Sequence, residues 1–327
     1  MFRFISTMDP APEIGESTPS TSMEDVPEPT GFLGSRRKNQ AIRFVLFLTA
    51  LVSLLILAAI LLFLFVEGIP VLRKVSLAEF LLGDEWYPTS NPASFGTFPL
   101  LVASIAVTFL STAISAPLGI MTAIYMAEIA SLRVRDIAKP IVELLAALPS
   151  VVIGFFGMVV VGPFLQETFD LPTGLNLFNA ALMLAFMSVP TICTISEDAI
   201  HSVPKDLKEG SLALGATHWE TILRVILPAS LSGISTATIL GISRSIGETM
   251  VVLMVAGGAA MVPTSLFDPV RPIPASIAAE MAEAPFRGDH YRALFALGVV
   301  LFLFTMGFNL IAAYISNKHK QVGAATL

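Results

Sequence analysis

Long apolar segments alternate with shorter polar segments through most of this chain. An α-helix rises 1.5 Å per residue, so a run of about 20 apolar residues is long enough to cross the hydrocarbon core of a bilayer. The pattern predicts an all-α polytopic membrane protein with six transmembrane helices. We expect these helices at about residues 44–66, 98–127, 137–161, 177–195, 229–255 and 291–315.

The composition supports this fold class and excludes several others. Hydrophobic residues make up 54% of the chain and charged residues 13%, whereas a soluble domain carries about 25% charged residues. Cys193 is the single cysteine. One cysteine excludes an intrachain disulfide framework and a cysteine-based metal site.

The N-terminal segment differs from the rest of the chain. Residues 1–35 hold six acidic residues and one basic residue, with many Pro, Ser and Thr. Such a composition cannot bury a core, so we predict a disordered acidic tail over residues 1–40. A transmembrane domain is expected over residues 41–318, followed by a short tail over 319–327. The N-terminal segment also lacks the basic-then-apolar order of a cleavable signal peptide.

The distribution of basic residues predicts the orientation in the membrane. If the N-terminus is cytoplasmic, the inner segments carry thirteen Lys and Arg residues, the outer segments carry five, and Arg244 lies within a span. Short cytoplasmic loops are enriched in Lys and Arg. Both termini and the loop between the fourth and fifth helices are therefore predicted to be cytoplasmic.

That loop contains a polar stretch of unusual pattern, EGSLALGATHWETILRVILP over residues 209–228. Gly215 allows a turn with positive φ, and Pro228 suits the first turn of the next helix, so the stretch predicts a helix-turn-helix. An amphipathic loop lying on the membrane surface is the alternative. Its apolar face would comprise Leu212, Leu214, Trp219, Ile222 and Leu223.

Two charged residues, Arg244 and Glu248, interrupt the fifth apolar segment. Four residues apart on a helix, they are predicted to share one face. A charge at such a position costs about 2.5–3.5 kcal/mol, so something must compensate it. One interpretation is that the two charges are merely neutralised, by an ion pair within the helix or by pairing with a neighbouring helix. The other interpretation is a functional site. On the same helix, a stripe of small residues predicts close packing against another helix: Gly233, Ala237, Gly241 and Ser245.

Other polar residues are predicted to have ordinary roles. The four histidines, His201, His218, His290 and His319, show no metal-ligand spacing and are interpreted as surface residues. Glu128, near the end of the second span, is expected to make interfacial or partner-helix contacts. The proline-rich stretch 256–290 is expected to be an external loop, either solvated or suited to docking a binding protein.

Four motifs in order give the chain a family resemblance. They are FGTFPLLVASIAVTFLSTAISAPLGIMTAIYMAE at 95–128, ELLAALPSVVIGFFG at 143–157, the stretch at 209–228, and GISRSIGET at 241–249. The third is similar to the cytoplasmic EAA loop of ABC-importer permeases, with Glu209, Gly215, Leu227 and Pro228 in register. Val225 replaces an Ile, and Gly210-Ser211 replace Ala-Ala. The chain resembles the PstC-type permease of phosphate ABC importers.

The resemblance implies a fold, a function and a set of partners. It implies a type I permease subunit in the bacterial inner membrane, which is not itself an enzyme, binds no cofactor and forms half of a phosphate pathway. Implied partners are inorganic phosphate, a second PstA-type permease, two PstB-type ATPases that use ATP and Mg²⁺, a PstS-type phosphate-binding protein and membrane lipid, with no nucleic acid. The sequence itself contains no GxxxxGK[ST] phosphate loop, so any ATP hydrolysis requires a partner.

Residue roles follow from the same resemblance. Arg244 and Glu248 match the Arg and Glu implicated in transport, where a guanidinium can bind phosphate through two hydrogen bonds. Glu248 would hold Arg244 and accept a hydrogen bond from a protonated phosphate oxygen. Coupling to the ATPases is expected through the EAA-like cytoplasmic loop at 205–228, and within it through Glu209, Gly215, Ala216, Leu227 and Pro228. Two alternatives remain: a permease for another oxyanion such as molybdate or sulfate, and an ATP-independent ion-coupled carrier.

Overall fold

The computed structural model describes residues 32–324. Most of the predicted N-terminal tail, residues 1–31, lies outside the described residues, as do residues 325–327. The first helix begins at Phe32 and the last ends at Ala324, so helical residues extend into both predicted tails. The described residues divide into two units, the first ending at Ala59 and the second beginning at Ile60. In the first, the described side chains, 40–59, are all exposed on one helix.

The described part of the chain is mostly helical. Its α-helices are α1 Phe32–Gly68, α2 Leu77–Leu82, α3 Phe98–Ile124, α4 Leu132–Ala146, α5 Ser150–Phe156, α6 Gly162–Phe169, α7 Leu177–His201, α8 Lys205–Ala213, α9 His218–Thr221, α10 Leu227–Ile246, α11 Met250–Val255, α12 Ile273–Glu280 and α13 Asp289–Ala324. A 3₁₀ turn covers Ile69–Arg73, and π turns cover Tyr125–Ile129, Gly157–Val161 and Ile222–Ile226. Two short antiparallel strands, β1 Trp86–Tyr87 and β2 Ser94–Phe95, form a hairpin with Trp86 opposite Phe95.

Six helices among the described residues are long and apolar enough to cross a membrane, which confirms the predicted number. We call them spans 1 to 6. They cover Gln40–Arg73, Phe98–Ile129, Ser150–Phe169, Leu177–His201, His218–Ile246 and Asp289–Ile311. Four of them overlap the predicted segments closely, because uninterrupted hydropathy marks their positions.

The predicted bounds of the third span are wrong. Residues 132–146 form the separate helix α4, which has no buried residue, and span 3 starts only at Ser150. Pro149 is extended, with ψ of 134°, at the junction. A proline disfavours helical geometry in the residue before it, so the helix ends there. The apolar side of α4 continued the hydropathy pattern into the span and concealed this break.

The predicted bounds of the fifth span are also wrong. Span 5 begins at His218 and ends at Ile246, so Pro228 lies within the span and does not open it. The π turn Ile222–Ile226 comes directly before this proline. A proline ring clashes with the carbonyl four residues earlier in a regular α-helix. The wider turn accommodates the ring, so the helix passes through Pro228 without ending.

Buried side chains form clusters along the second unit, residues 60–327. At one end, which we call the Glu128 end, Ile200, Ile222 and Ile226 are buried together. At the opposite end, which we call the Glu280 end, a second cluster includes Trp86 and Ile273. A third cluster between them joins spans 2 and 4 to α11. The clusters at the Glu128 end and the Glu280 end thus pack the opposite ends of the same helical bundle.

The small-residue stripe of span 5 packs against span 4. A Cβ added at Gly233 would lie 2.3 Å from the Cβ of Ala199, and one at Gly241 would lie 2.7 Å from Ile192. Ala237 is fully buried. The predicted close packing is therefore confirmed, and the partner is a helix of this chain. We call this contact between spans 4 and 5 the seam. It fixes the position of the span 5 residues that follow Gly241.

Candidate functional site

Three buried hydroxyl groups meet beside Arg244. The Oγ atom of Ser245 lies 3.0 Å from Oγ of Ser188 in span 4 and 3.4 Å from Oγ of Ser111 in span 2. Ser188 is 11 residues from one end of span 4 and 13 from the other, or about 16 and 20 Å at 1.5 Å per residue. Arg244 therefore lies near the middle of the bundle's depth.

The guanidinium of Arg244 has few partners in this structure. Its Nη1 atom donates to Oγ1 of Thr191 across 3.4 Å, and its Nε atom is buried without a hydrogen-bond partner among the described residues. No carboxylate lies within ion-pair distance of it in the described part of the chain. A charge held this way at mid-depth is compensated only in part.

Arg244 and Glu248 do not share a helix face, so that prediction is wrong. The helix ends at Ile246, residues 247–249 are not helical, and α11 starts at Met250. The carboxylate of Glu248 instead accepts a hydrogen bond from the N–H of Val251 at 3.4 Å. Glycine at position 247 is a poor helix former, which favours the break. The interpretation of the two residues as an intrahelical ion pair is excluded for this conformation.

A helical break inside a membrane protein has chemical consequences. Residues 247–249 leave backbone N–H and C=O groups outside the regular helical ladder. Non-helical backbone at membrane depth occurs where protein buries it or where it borders a water-filled cavity. Arg244 lies in the last helical turn before this break, and Glu248 lies within the break. The backbone polar groups of residues 247–249 and the guanidinium of Arg244 therefore lie at a similar depth in the bundle.

The predicted coupling residues lie at the Glu128 end, in the helical hairpin formed by α8, the turn at Gly215 and α9, and in the following part of span 5. Helix α8 is followed by Gly215, whose φ of +87° confirms the predicted turn. Thr217 caps the next helix: its Oγ1 accepts from the N–H of Glu220, whose carboxylate accepts from the N–H of Thr217 at 2.9 Å. Glu209 and Pro228 are exposed, whereas Ala216 and Leu227 are half-buried. Pro228, the coupling residue nearest to Arg244 along the chain, precedes it by 16 residues, or about 24 Å along the helix.

The apolar residues of this hairpin mostly face outward. Of the five that were predicted to form an amphipathic face, only Ile222 is buried. The exposed ones are Leu212, Leu214, Trp219 and Leu223. Leu214 is 91% exposed at the tip. Such a concentration of exposed apolar side chains is typical of a surface that contacts another molecule.

Replacing Gly215 with alanine is expected to weaken the hairpin. An L-residue with left-handed geometry costs about 1–2 kcal/mol, which corresponds to a roughly 5- to 30-fold rise in the open population. Hydrogen–deuterium exchange of amides in residues 205–221 would measure this. The matched control is Gly210→Ala in α8, where an added Cβ meets nothing within 4 Å. Equal exchange in Gly215→Ala and Gly210→Ala would contradict the turn's requirement for glycine.

Two buried carboxylates at the Glu128 end were not identified as sites from the sequence. Glu128 forms an ion pair with Lys208 of α8, as its expected interfacial role allowed. Glu197, only 1% exposed, lies 3.2 Å from Nη2 of Arg135 and 3.4 Å from Nζ of Lys139. The four-residue spacing of Arg135 and Lys139 indicated one basic face of α4. Nothing in the sequence identified the carboxylate that this face would contact.

A polar cavity of about 450 Å³ lies at the Glu280 end. Glu280 accepts hydrogen bonds there from Nε1 of Trp86 at 3.0 Å and Nη1 of Arg271 at 2.6 Å, and Nε2 of His290 lies 2.8 Å from it. His290 is 8% exposed, so its interpretation as a surface histidine is wrong. Part of the predicted external loop is likewise packed, because Ile273 of α12 is fully buried.

The remainder of that loop is ordered by its own hydrogen bonds. Asp268 accepts from the hydroxyl and N–H of Thr264 and from the N–H of Ser265, each at 2.8 Å. These donors, with the Thr264 hydroxyl the strongest, hold the pKa of the Asp268 carboxyl below its ordinary value. The loop is therefore a shaped surface at this end of the bundle.

Comparison with known sequences matches most of this chain. A family model described as the binding-protein-dependent transport system inner membrane component matches residues 116–321. A probable ABC transporter permease protein, YqgH, from Bacillus subtilis is 38% identical over 280 residues, covering 85% of this chain and 91% of that protein. The phosphate transport system permease protein PstC of Mesorhizobium japonicum is 36% identical over 259 residues, covering 72% and 77%.

Solved structures share the fold at low sequence identity. A bacterial alginate ABC transporter aligns with a TM-score of 0.63 and 16% identity, covering 88% of this chain and 98% of that one. The MetNI methionine ABC transporter, in inward-facing conformations, aligns with a TM-score of 0.52 and 20% identity, covering 68% and 94%. These likenesses establish the type I importer permease architecture.

Proposed function

Because the chain belongs to the family of binding-protein-dependent transport system inner membrane components, we propose that it is the permease subunit of an ATP-driven phosphate importer. In this proposal it forms half of the translocation pathway and couples to ATPase subunits by alternating access. Relatives named as phosphate transport permeases support the substrate, with 30–36% identity over at least two thirds of this chain.

The guanidinium of Arg244 is the observation that carries the choice of an anionic substrate. It lies near mid-depth, has no carboxylate partner among the described residues, and keeps one buried N–H unpaired. Its planar fork matches two phosphate oxygens at once. A passing phosphate would therefore supply the compensating charge that the resting site lacks.

Glu248 has a separate role in this proposal. Its carboxylate belongs to the non-helical segment and is half-buried, so small changes in this segment can move it relative to Arg244. A carboxylate accepts a hydrogen bond from a protonated phosphate oxygen, which sulfate cannot offer at neutral pH. We assign Glu248 to substrate selection and Arg244 to charge compensation.

The hairpin at the Glu128 end supports a place for the ATPase partners. Its capped second helix, its ordered turn and its outward apolar side chains suit docking to a protein. This end is assigned to the cytoplasm, since thirteen of the basic residues lie on its side in the predicted topology. The polar Glu280 end then faces the binding protein, and the chain lies in the bacterial inner membrane.

ATP-driven uptake by the assembled complex in proteoliposomes tests the proposal. We expect phosphate uptake that requires ATP on the side of the membrane where the ATPases lie. A tenfold excess of sulfate or molybdate should leave this uptake unchanged, which corresponds to an affinity for phosphate at least roughly ten times higher. Inhibition by either oxyanion would favour a permease for that anion. Uptake that follows a proton gradient without ATP would favour an ion-coupled carrier, the second candidate.

A further inference from the structure

Both helices of the hairpin contact one residue at the end of span 2. Glu128 lies in the π turn Tyr125–Ile129, and its side chain is 5% exposed. From α8, Nζ of Lys208 donates to Oε1 of Glu128 at 2.7 Å. From α9, Nε2 of His218 lies 3.2 Å from the backbone oxygen of Glu128. The side chain and the main chain of one residue therefore hold the two arms of the hairpin.

The second arm of the hairpin, α9, is the first turn of span 5. The Oγ atom of Ser211 in α8 lies 3.0 Å from Oγ1 of Thr221 in α9, so the arms are also joined to each other. The Thr217 cap fixes the start of α9. A displacement of the hairpin by a partner is therefore transmitted to Glu128 from both sides. The pair resists separation, because the buried carboxylate of Glu128 would be left uncompensated without Lys208.

Span 2 connects Glu128 to the neighbourhood of Arg244. Ser111 lies 17 residues earlier on the same span, about 26 Å along its axis, and contacts Ser245 beside the arginine. The span is helical from Phe98 to Ile129 and packs along span 4. Pro117 lies between the two contacts and removes one backbone hydrogen bond, but the span stays helical on both sides of it. A displacement at one contact can therefore reach the other along this span.

We propose that Glu128 is a positioning residue that couples the hairpin to span 2 through Lys208 and His218. This role rests on the proposed function, because it assumes that a partner ATPase moves the hairpin. Glu128 touches neither substrate nor ATP. Its loss should separate ATP hydrolysis from transport without preventing either partner from binding.

The test compares phosphate taken up per ATP hydrolysed by complete complexes in proteoliposomes. We expect Glu128→Gln and Lys208→Gln each to lower this ratio about tenfold, with hydrolysis retained, and the double variant to add little further, as members of one coupled pair do. The matched control is Lys205→Gln, which removes an exposed charge from the same helix. It should keep the wild-type ratio.

Each other outcome decides against the proposal. Wild-type ratios in both single variants, or additive losses in the double variant, would overturn the coupling role while leaving the proposed function intact. Absence of ATP-driven phosphate uptake in the wild type would overturn both. If Glu128→Gln fails to assemble, the surface variants Lys208→Gln and His218→Ala decide, and a wild-type ratio in both would overturn the role.

Discussion

Arg244→Gln is expected to lower ATP-driven phosphate uptake by about 10- to 150-fold, since a hydrogen bond to a charged group contributes about 1.5–3 kcal/mol. Glutamine keeps much of the side chain's length and removes the charge. Because Arg244 has no carboxylate partner in the described part of the chain, its removal leaves no buried acid unpaired. The complex should therefore assemble normally while transport fails.

Uptake should be compared at matched amounts of assembled complex in the membrane. Arg244→Lys retains the charge but not the planar fork, so we expect an intermediate loss. Arg43→Gln removes the same group from an exposed position in span 1 and serves as the control. Unchanged uptake in Arg244→Gln would identify Arg244 as a structural charge and remove the main support for an anion pathway here.

Gly233→Val is expected to destabilise the bundle by about 1–3 kcal/mol, the range for overpacking a well-filled interior. Even an alanine Cβ would lie 2.3 Å from the Cβ of Ala199, and neither atom can move by side-chain rotation. Spans 4 and 5 must then separate. The separation would also displace Ser245 and Arg244, which the same seam holds in place.

This effect would be measured by heating the purified complex and recording, by size-exclusion chromatography, how much of its monodisperse peak remains at each temperature. A loss of this size corresponds to a fall of roughly 2–4 °C in melting temperature for each kcal/mol. Gly307→Val in span 6 is the matched control, because a Cβ there meets nothing within 4 Å. Equal melting temperatures for Gly233→Val and Gly307→Val would contradict the tight seam.

Hydropathy alone predicted the positions of four spans closely, but it placed spans 3 and 5 at the wrong residues. Span 3 was displaced because the apolar residues of α4, such as Ile137 and Ile141, continue the pattern up to Pro149. Span 5 was displaced because Pro228 suggested a helix start, whereas a π turn allows the helix to pass through it. Average hydropathy does not register such local changes of backbone geometry.

The sequence identified the charged residues of the candidate site, but it did not predict how they are arranged. Arg244 stood out as a charge in an apolar segment, and Gly215 as the residue of a tight turn. The expected pairing of Arg244 with Glu248 assumed an unbroken helix, but the helix ends between them. Thr191 and Ser188 offered no signal, because small hydroxyl residues occur throughout apolar helices as packing elements.

Local sequence patterns establish the number of spans, the small-residue seam and the glycine with positive φ. Each of these depends only on neighbouring residues or on the periodicity of a single helix. The contacts of Glu128 with Lys208 and His218, of Glu197 with α4, and of Glu280 with Trp86 are different. They join segments that lie far apart in the chain. Only the packing of the helices decides which buried charge meets which partner, since many pairings satisfy the same hydropathy pattern.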